Sequence, residues 1–306
     1  MKLKFDIKTN AIDSFNEALS KYDQGQNGDL KSFKFAITHL AHCIELVLKM
    51  YLQTLNENLV FSSCYKKVSR RSNSDNVDLL SAFNALESEG FDFESLIKGH
   101  KSPHTVTVEQ ALSLAKCEVC GITGNDFVDQ NFIDDINWMK ELRNSIEHFE
   151  FEFTAKEVRL CIGRLVRGLV EFTDIFSLFD FDKEVGEERT HVFKVLVDEY
   201  EHALSEANIT ISEQKKLLFA GVRLKHQMFI EWNIYTCPTC GNNTMIPNDD
   251  SSTGYRCTLE GCENEESEDI EMDCDICGTS WPNGEMTSWE GSYSNVCPRC
   301  ENPEAW

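Results

Sequence analysis

From Leu30 to Leu55 the positions Phe33, Phe35, Ile37, Leu40, Ile44, Leu46, Leu48 and Tyr51 recur at mixed spacings of three and four. That period predicts a long helix buried on most of its sides. Asp134 to Phe149 and Thr154 to Phe179 follow the same rule, and the second opens on Thr154 as a cap with Glu157 three residues on. Between the first helix and these two lies an irregular stretch, Asn56 to Asn131, with shorter helices expected near Asp78 to Leu86 and Thr107 to Lys116. Val192, Phe193, Leu196, Val197, Tyr200 and Leu204 continue the helical period, as do Leu217, Leu218, Val222 and Met228, which predicts two connecting helices. The chain is therefore expected to be mainly α, with a helical bundle and its insertion over 1–185, connecting helices over 186–230, and a different region over 231–306.

Cysteine sets that last region apart. Eight of the 13 cysteines lie between Cys237 and Cys300, and from Glu231 to Trp306 there are sixteen acidic residues against Arg256 and Arg299 alone. The region thus carries −14 of the net charge of −23, leaving −9 on the first 230 residues. Such a balance excludes a protein that coats nucleic acid through bulk charge, although local basic patches remain compatible with it. The 41% hydrophobic content excludes a disordered chain, and 306 residues suffice for two units. No stretch reaches the ~18 uncharged apolar residues of a bilayer helix, since Lys49 interrupts the best candidate, Leu46 to Leu52. The start MKLKFDIKTN lacks a secretory apolar run, so a cytoplasmic location is expected, where paired cysteines hold metal rather than disulfides.

The sharpest signal in the helical part is Glu141-Leu142-Arg143-Asn144-Ser145-Ile146-Glu147-His148, which reads R-N-x3-H. Asn144 and His148 share a helix face, whereas Arg143 and His148 stand about 140° apart, so a joint site needs either helix-end distortion or a second chain. Chemically the set suits RNA cleavage without a metal. A histidine can exchange a proton with the ribose 2′-OH or the 5′-oxygen, and a guanidinium can clamp the phosphorane bidentately as charge develops. The plain alternative is an Arg143–Glu147 pair on a surface helix that His148 merely ends.

This motif on a later long helix, preceded by the first helix FAITHLAHCIELVLKMYL, resembles the HEPN superfamily (higher eukaryotes and prokaryotes nucleotide-binding), over roughly Phe5 to Asp180. The resemblance implies a HEPN-like bundle that dimerises and joins two such motifs into one composite site. In many members that site is a metal-independent endoribonuclease of toxin or antiviral defence systems, leaving a 2′,3′-cyclic phosphate. By position Arg143 and His148 match the motif, Asn144 matches the polar residue after its arginine, and Glu45 is the candidate for the polar residue on an earlier helix. Glu150 stands where some toxin members carry a tyrosine that a partner enzyme adenylylates, so that form of silencing is excluded.

Lys66, Lys67, Arg70 and Arg71 read as a basic loop, and Arg159, Arg164 and Arg167 as a basic helix face, either of which could bind RNA. Their plain alternative is solvated charge. His39, His42 and Glu45, at i, i+3 and i+6, resemble half of a bundle-embedded carboxylate metal site but are expected to line the bundle or its cleft rather than to bind metal. His100, His104, Cys117 and Cys120 have the ligand inventory of a zinc site in reversed order, with buried thiols as the alternative.

The C-terminal spacing is stronger. Cys237-x2-Cys240-Gly, Cys257-x4-Cys262, Cys274-x2-Cys277-Gly and Cys297-x2-Cys300 are four half-sites, which predict about two structural zinc ions and no catalytic metal. Sequential pairing gives two zinc-ribbon-like units, and outer-with-inner pairing is equally compatible with the spacing. So acidic a module should repel phosphate and contact protein instead, through Trp281, Trp289 and Tyr293. The preferred expectation is thus a dimeric, cytoplasmic HEPN-like endoribonuclease with a zinc-ribbon tail. The competing class is a catalytically silent HEPN adaptor or nucleotide sensor, and a transcription-associated ribbon protein loses on charge.

Overall fold

A computed structural model of the chain describes residues 6–99, 101–119, 126–148, 153–223, 232–248, 251, 254–262, 264–265, 271–282, 286–289 and 293–302. The fold is mainly α, and its contacts divide it into two units, Met1–Glu201 and His202–Trp306.

In the first unit α1 (Ile7–Gln26) begins where the Asp6 carboxylate accepts the Thr9 N–H at 2.7 Å, and α2 (Lys31–Leu55) is the expected long helix. On α2 the positions Ile37, Leu40, Ile44, Val47, Leu48, Tyr51 and Leu52 are all buried, against α1, α5 (Val108–Ala115), α6 (Gln130–His148) and α7 (Ala155–Ile175). By length and composition α2 could also cross a bilayer, but 67% of its most apolar window is buried within the fold, so packing accounts for that character. Thr154 and Glu157 form the expected capping box at the start of α7, and Thr107 with Gln110 forms another on α5.

The stretch read as a basic loop is instead a helix, α3 (Ser62–Asp75), ending on Asn76 in the left-handed region at φ 53°. Only Cys64 and Val68 of α3 are buried, too few positions to print a period on the sequence. It is followed by α4 (Leu79–Ser88), capped by Asp78, and later by the short α8 (Phe181–Val185). Two connecting helices were expected, yet a single helix, α9 (Glu187–Phe219), runs through the first of them and stops just before a turn at Gly221, where φ is +76°. Part of the second expected segment, including Met228, lies outside the described residues. The start of α9 is no connector, because Phe193, Leu196 and Tyr200 are buried in the first unit.

Gly163 makes that packing possible. A Cβ there would stand 2.1 Å from the Leu196 carbonyl oxygen, so α7 and α9 touch backbone to backbone. Gly163→Ala is expected to force the helices apart and lower stability by about 1–3 kcal/mol or more, read as a fall in the urea midpoint.

The second unit holds the rest of α9, whose Ala203, Ala207 and Ile211 are buried at i, i+4, i+8. Its strands are short: β1 (Tyr235–Thr236), β2 (Asn243–Pro247) and β3 (Tyr255–Cys257) form one antiparallel sheet in the order β1-β2-β3. The hairpins β4 (Glu271–Asp273) with β5 (Ser280–Pro282), and β6 (Thr287–Trp289) with β7 (Tyr293–Val296), lead to the one-turn α10 (Pro298–Glu301). Thr258 Oγ1 donates to the Thr244 and Ala207 carbonyls at 3.0 and 3.4 Å, tying the first sheet to α9.

Candidate functional site

On α2 the residues turned away from the core make a polar stripe, and α6 supplies its partner. Arg143 Nη1 reaches Glu45 Oε2 at 3.4 Å, Lys49 Nζ donates to Glu45 Oε1 at 2.7 Å, and Lys49 also donates to Thr105 Oγ1 at 3.0 Å. Burial opposes the charge of Glu45, but Lys49 and then Arg143 outweigh it and hold the carboxyl below its usual range. One turn earlier, His42 Nδ1 lies 2.9 Å from Ser14 Oγ of α1. Burial pulls the His42 pKa down; Glu45 opposes this, and Arg143, Lys49 and His39 reinforce it. His42 thus has one ring nitrogen engaged by Ser14 and stands near a guanidinium that disfavours its protonated form. The sequence placed Glu45 near Arg143 through resemblance alone, and the structure brings the two together across 98 residues.

His148 does not join them within one chain. It is exposed in the last turn of α6, a favourable place for a basic group, and α6 is helical from Gln130 through His148. No distortion of the helix end turns it toward Arg143, so about 140° still separates the two. Asn144 is exposed. The side chain of Glu147 and all of Glu150 lie outside the described residues.

Of the expected RNA-binding residues, Arg164 is corrected by its burial, and Arg167 is drawn toward the carboxylate that Arg164 meets, Asp135. Arg164 is 2% exposed, with its Nε donating to Asp135 Oδ1 at 2.6 Å and its guanidinium 4.4 Å from the Trp138 ring centre. Arg167 Nη2 donates to Asp135 Oδ2 at 2.8 Å and its guanidinium lies over Tyr200. Arg164 is too buried to meet a phosphate, while Arg167 is half-buried, and both serve a buried carboxylate bridge between α6 and α7. Asp135→Ala would strand the buried Arg164 charge, with an expected loss of about 3–5 kcal/mol in chemical denaturation. Asp135→Asn, which keeps an acceptor, should cost less. Arg159 pairs with Glu199 and with the Tyr22 hydroxyl, and Arg71 with Asp75 and Glu89. Lys67 stands over the Phe91 ring at 4.7 Å, and Lys66 and Arg70 share α3 with it.

The thiols of the second unit form two separate groups: Cys237, Cys240, Cys257 and Cys262, and Cys274, Cys277, Cys297 and Cys300. Within each group all sulfurs lie within 4.8 Å of one another. Pairing is therefore sequential, which spacing left open. The Sγ separations of 3.7 Å for Cys237–Cys262, 3.8 Å for Cys240–Cys257 and 3.7 Å for Cys277–Cys297 are too long for disulfides. They match the ~3.8 Å edge of a tetrahedron whose centre stands ~2.3 Å from each sulfur.

No protein-family model matches the chain, and no curated protein or solved structure is significantly similar to it. What the thiol groups can do follows from their own geometry.

Gly241 and Gly278, at φ +66° and +67°, turn each C-x2-C knuckle, and their N–H groups donate to the Cys237 and Cys274 carbonyls at 2.7 and 2.8 Å. The Cys297 N–H points at Cys274 Sγ from 3.4 Å and the Thr244 hydroxyl at Cys257 Sγ from 3.2 Å, a surrounding shell suited to thiolate. Cys262, from the half-site with the unusual x4 spacing, closes the first group through a turn in which its N–H donates to the Leu259 carbonyl at 3.0 Å. Of the central His/Cys set, His100 and Cys120 lie outside the described residues, and Cys117 Sγ contacts the Ser113 carbonyl at 3.3 Å.

Proposed function

We propose that the helical unit is a HEPN-type endoribonuclease working as a homodimer, and that the two thiol groups hold structural zinc. The observation that carries the nuclease reading is the regular helix from Arg143 to His148. Two groups able to clamp a phosphate and move a proton are both solvent-accessible, yet they face apart on one chain. A second copy related by a twofold axis supplies the missing half, because in an isologous contact each motif meets the other. In that site Arg143 binds a non-bridging phosphate oxygen while Glu45 fixes its guanidinium, and Asn144 and His148 hold the ribose. The 2′-oxygen attacks phosphorus, the 5′-oxygen leaves, and the histidine passes the 2′-OH proton toward the leaving group. No step calls on a metal, and four-thiolate zinc has no open coordination position.

Four cysteines at tetrahedral spacing favour zinc over hard cations, which take oxygen ligands. The acidic ribbons contact protein rather than RNA, through exposed side chains such as Ile276 and Tyr293. The deciding assay incubates the purified protein with single-stranded RNA in EDTA and analyses the ends. Fragments ending in 2′,3′-cyclic phosphate are expected, with single-stranded DNA of the same sequence left whole for want of a 2′-OH. Intact RNA would turn the assignment to a silent adaptor.

A further inference from the structure

Lys31, Phe35, Thr38, His42, Glu45 and Lys49 fall within about 40° of one line along α2, the same line that carries the contact to Arg143, exposed at Lys31 and Phe35 and buried at Lys49. Its beginning differs from its end. Phe35 is 48% exposed and Leu30 69%, although large apolar side chains elsewhere on α2 are packed away. Together with Lys31 and Lys34, and with Phe153 and Val158 from the start of α7, they line an open groove of about 470 Å³, ample for a nucleobase and its ribose.

The groove lies on the His148 side of Arg143. Phe132 at the start of α6 stacks on Phe172, which also packs against Tyr51 near the end of α2, whereas Arg143 lies further back along α2 at Glu45. Hence α6 runs against α2, and its last turn advances toward the Phe35 end. Phe35 and Glu45 are ten residues apart, about 15 Å of helix, a length a few nucleotides of single strand can follow.

Among the described residues that line the groove, the charged side chains are Lys31 and Lys34, both basic within a chain of −23. Lys31 and Lys34 form no ion pair with any described residue. Among the described residues close by, Asp29 accepts from Ser32 Oγ at 2.7 Å and Glu157 accepts the Thr154 N–H, so these two carboxylates are held at their own helix starts rather than by the lysines. An exposed aromatic ring between two lysines, beside an open groove, is the equipment with which proteins hold a single-stranded base by its face and its phosphates by charge. We infer that this groove is a base-stacking subsite for single-stranded RNA, in which Phe35 stacks a nucleobase near the scissile phosphate and Lys31 and Lys34 bind the flanking phosphates.

The inference rests on RNA as the substrate but not on its cleavage, and the test separates the two. Full-length His148→Ala protein is titrated into a 5′-labelled 12-nucleotide oligouridylate and followed by fluorescence anisotropy, with oligomeric state checked by size-exclusion chromatography. Phe35→Ala is expected to weaken binding about tenfold and Phe35→Trp to restore it, since either aromatic ring offers a face to a base. Lys31→Glu with Lys34→Glu should weaken binding further and flatten its dependence on salt. Tight RNA binding that falls with Phe35→Ala supports the subsite even if the wild-type protein leaves RNA whole. Equal binding by Phe35→Ala and the parent overturns it, as does Phe35→Leu binding as well as Phe35→Trp. It is equally overturned if Phe35→Ala only converts dimers to monomers without changing affinity per chain, which would mark the groove as a contact between copies.

Discussion

Purified protein is expected to carry about two zinc ions per chain, and each ion is expected to be lost with a single thiol of its own cluster. Cys262→Ser should reduce the content to about one, because Cys262 belongs to the first group and Cys237 Sγ is 3.7 Å away. Cys300→Ser should do the same through the second. The structural effect should be large. The strands around both groups are two to five residues long, far below what an apolar core stabilises unaided, so binding energy for metal is folding energy there. Chelation after unfolding, or titration with an organomercurial, should release both ions with loss of the β signal in circular dichroism. Acidification should act in the same direction, since protons compete with metal for thiolate. The buried Cys43 and Cys161 should not interfere, as burial raises both thiols, Cys161 to about 12. Zinc below one per chain in protein purified without chelator would rule out the metal assignment.

What could be read beforehand follows from how far each signal travels along the chain. The helices α2 and α7 were legible because their apolar period is local, and Thr154 with Glu157 marks the start of α7 within four residues. The C-x2-C-Gly knuckles were legible for the same reason, each being complete in five residues. Which half-sites share a metal was not, because four similar half-sites permit several pairings and only the strand register, Met245 opposite Cys257, chooses. Arg164 was misread as a surface residue because its counter-charge, Asp135, sits 29 residues earlier on another helix. The single long α9 had a signal that went unused: from Glu187 to Phe219 there is neither glycine nor proline to end a helix. The engagement of His42 by Ser14 of α1 had none.

Arg143→Ala and His148→Ala are each expected to lower RNA cleavage by on the order of a hundredfold or more, the usual cost of removing a phosphate clamp or a proton-transfer group. Loss of activity alone would not establish that two chains build the site. Arg143 in particular also holds Glu45, so its removal could act through structure; Arg143→Lys, with circular dichroism as the control, separates clamp from scaffold because lysine keeps the charge without the bidentate fork. The decisive step is co-expression of the two dead variants. If Arg143 of one chain works with His148 of the other, the composite site of a mixed dimer has one Arg143–His148 pairing that lacks both groups and one that is intact. Random pairing then makes about half the dimers mixed with half their pairings alive, restoring about a quarter of wild-type activity. If Arg143 and His148 worked within the same chain, every site would lack one of them and mixing would restore nothing. The regular helix that separates the two by about 140° is the reason to expect the first outcome. A mixture as inactive as its parents, alongside an active wild type, would remove the composite site and leave His42, already beside Arg143, as the histidine to test next.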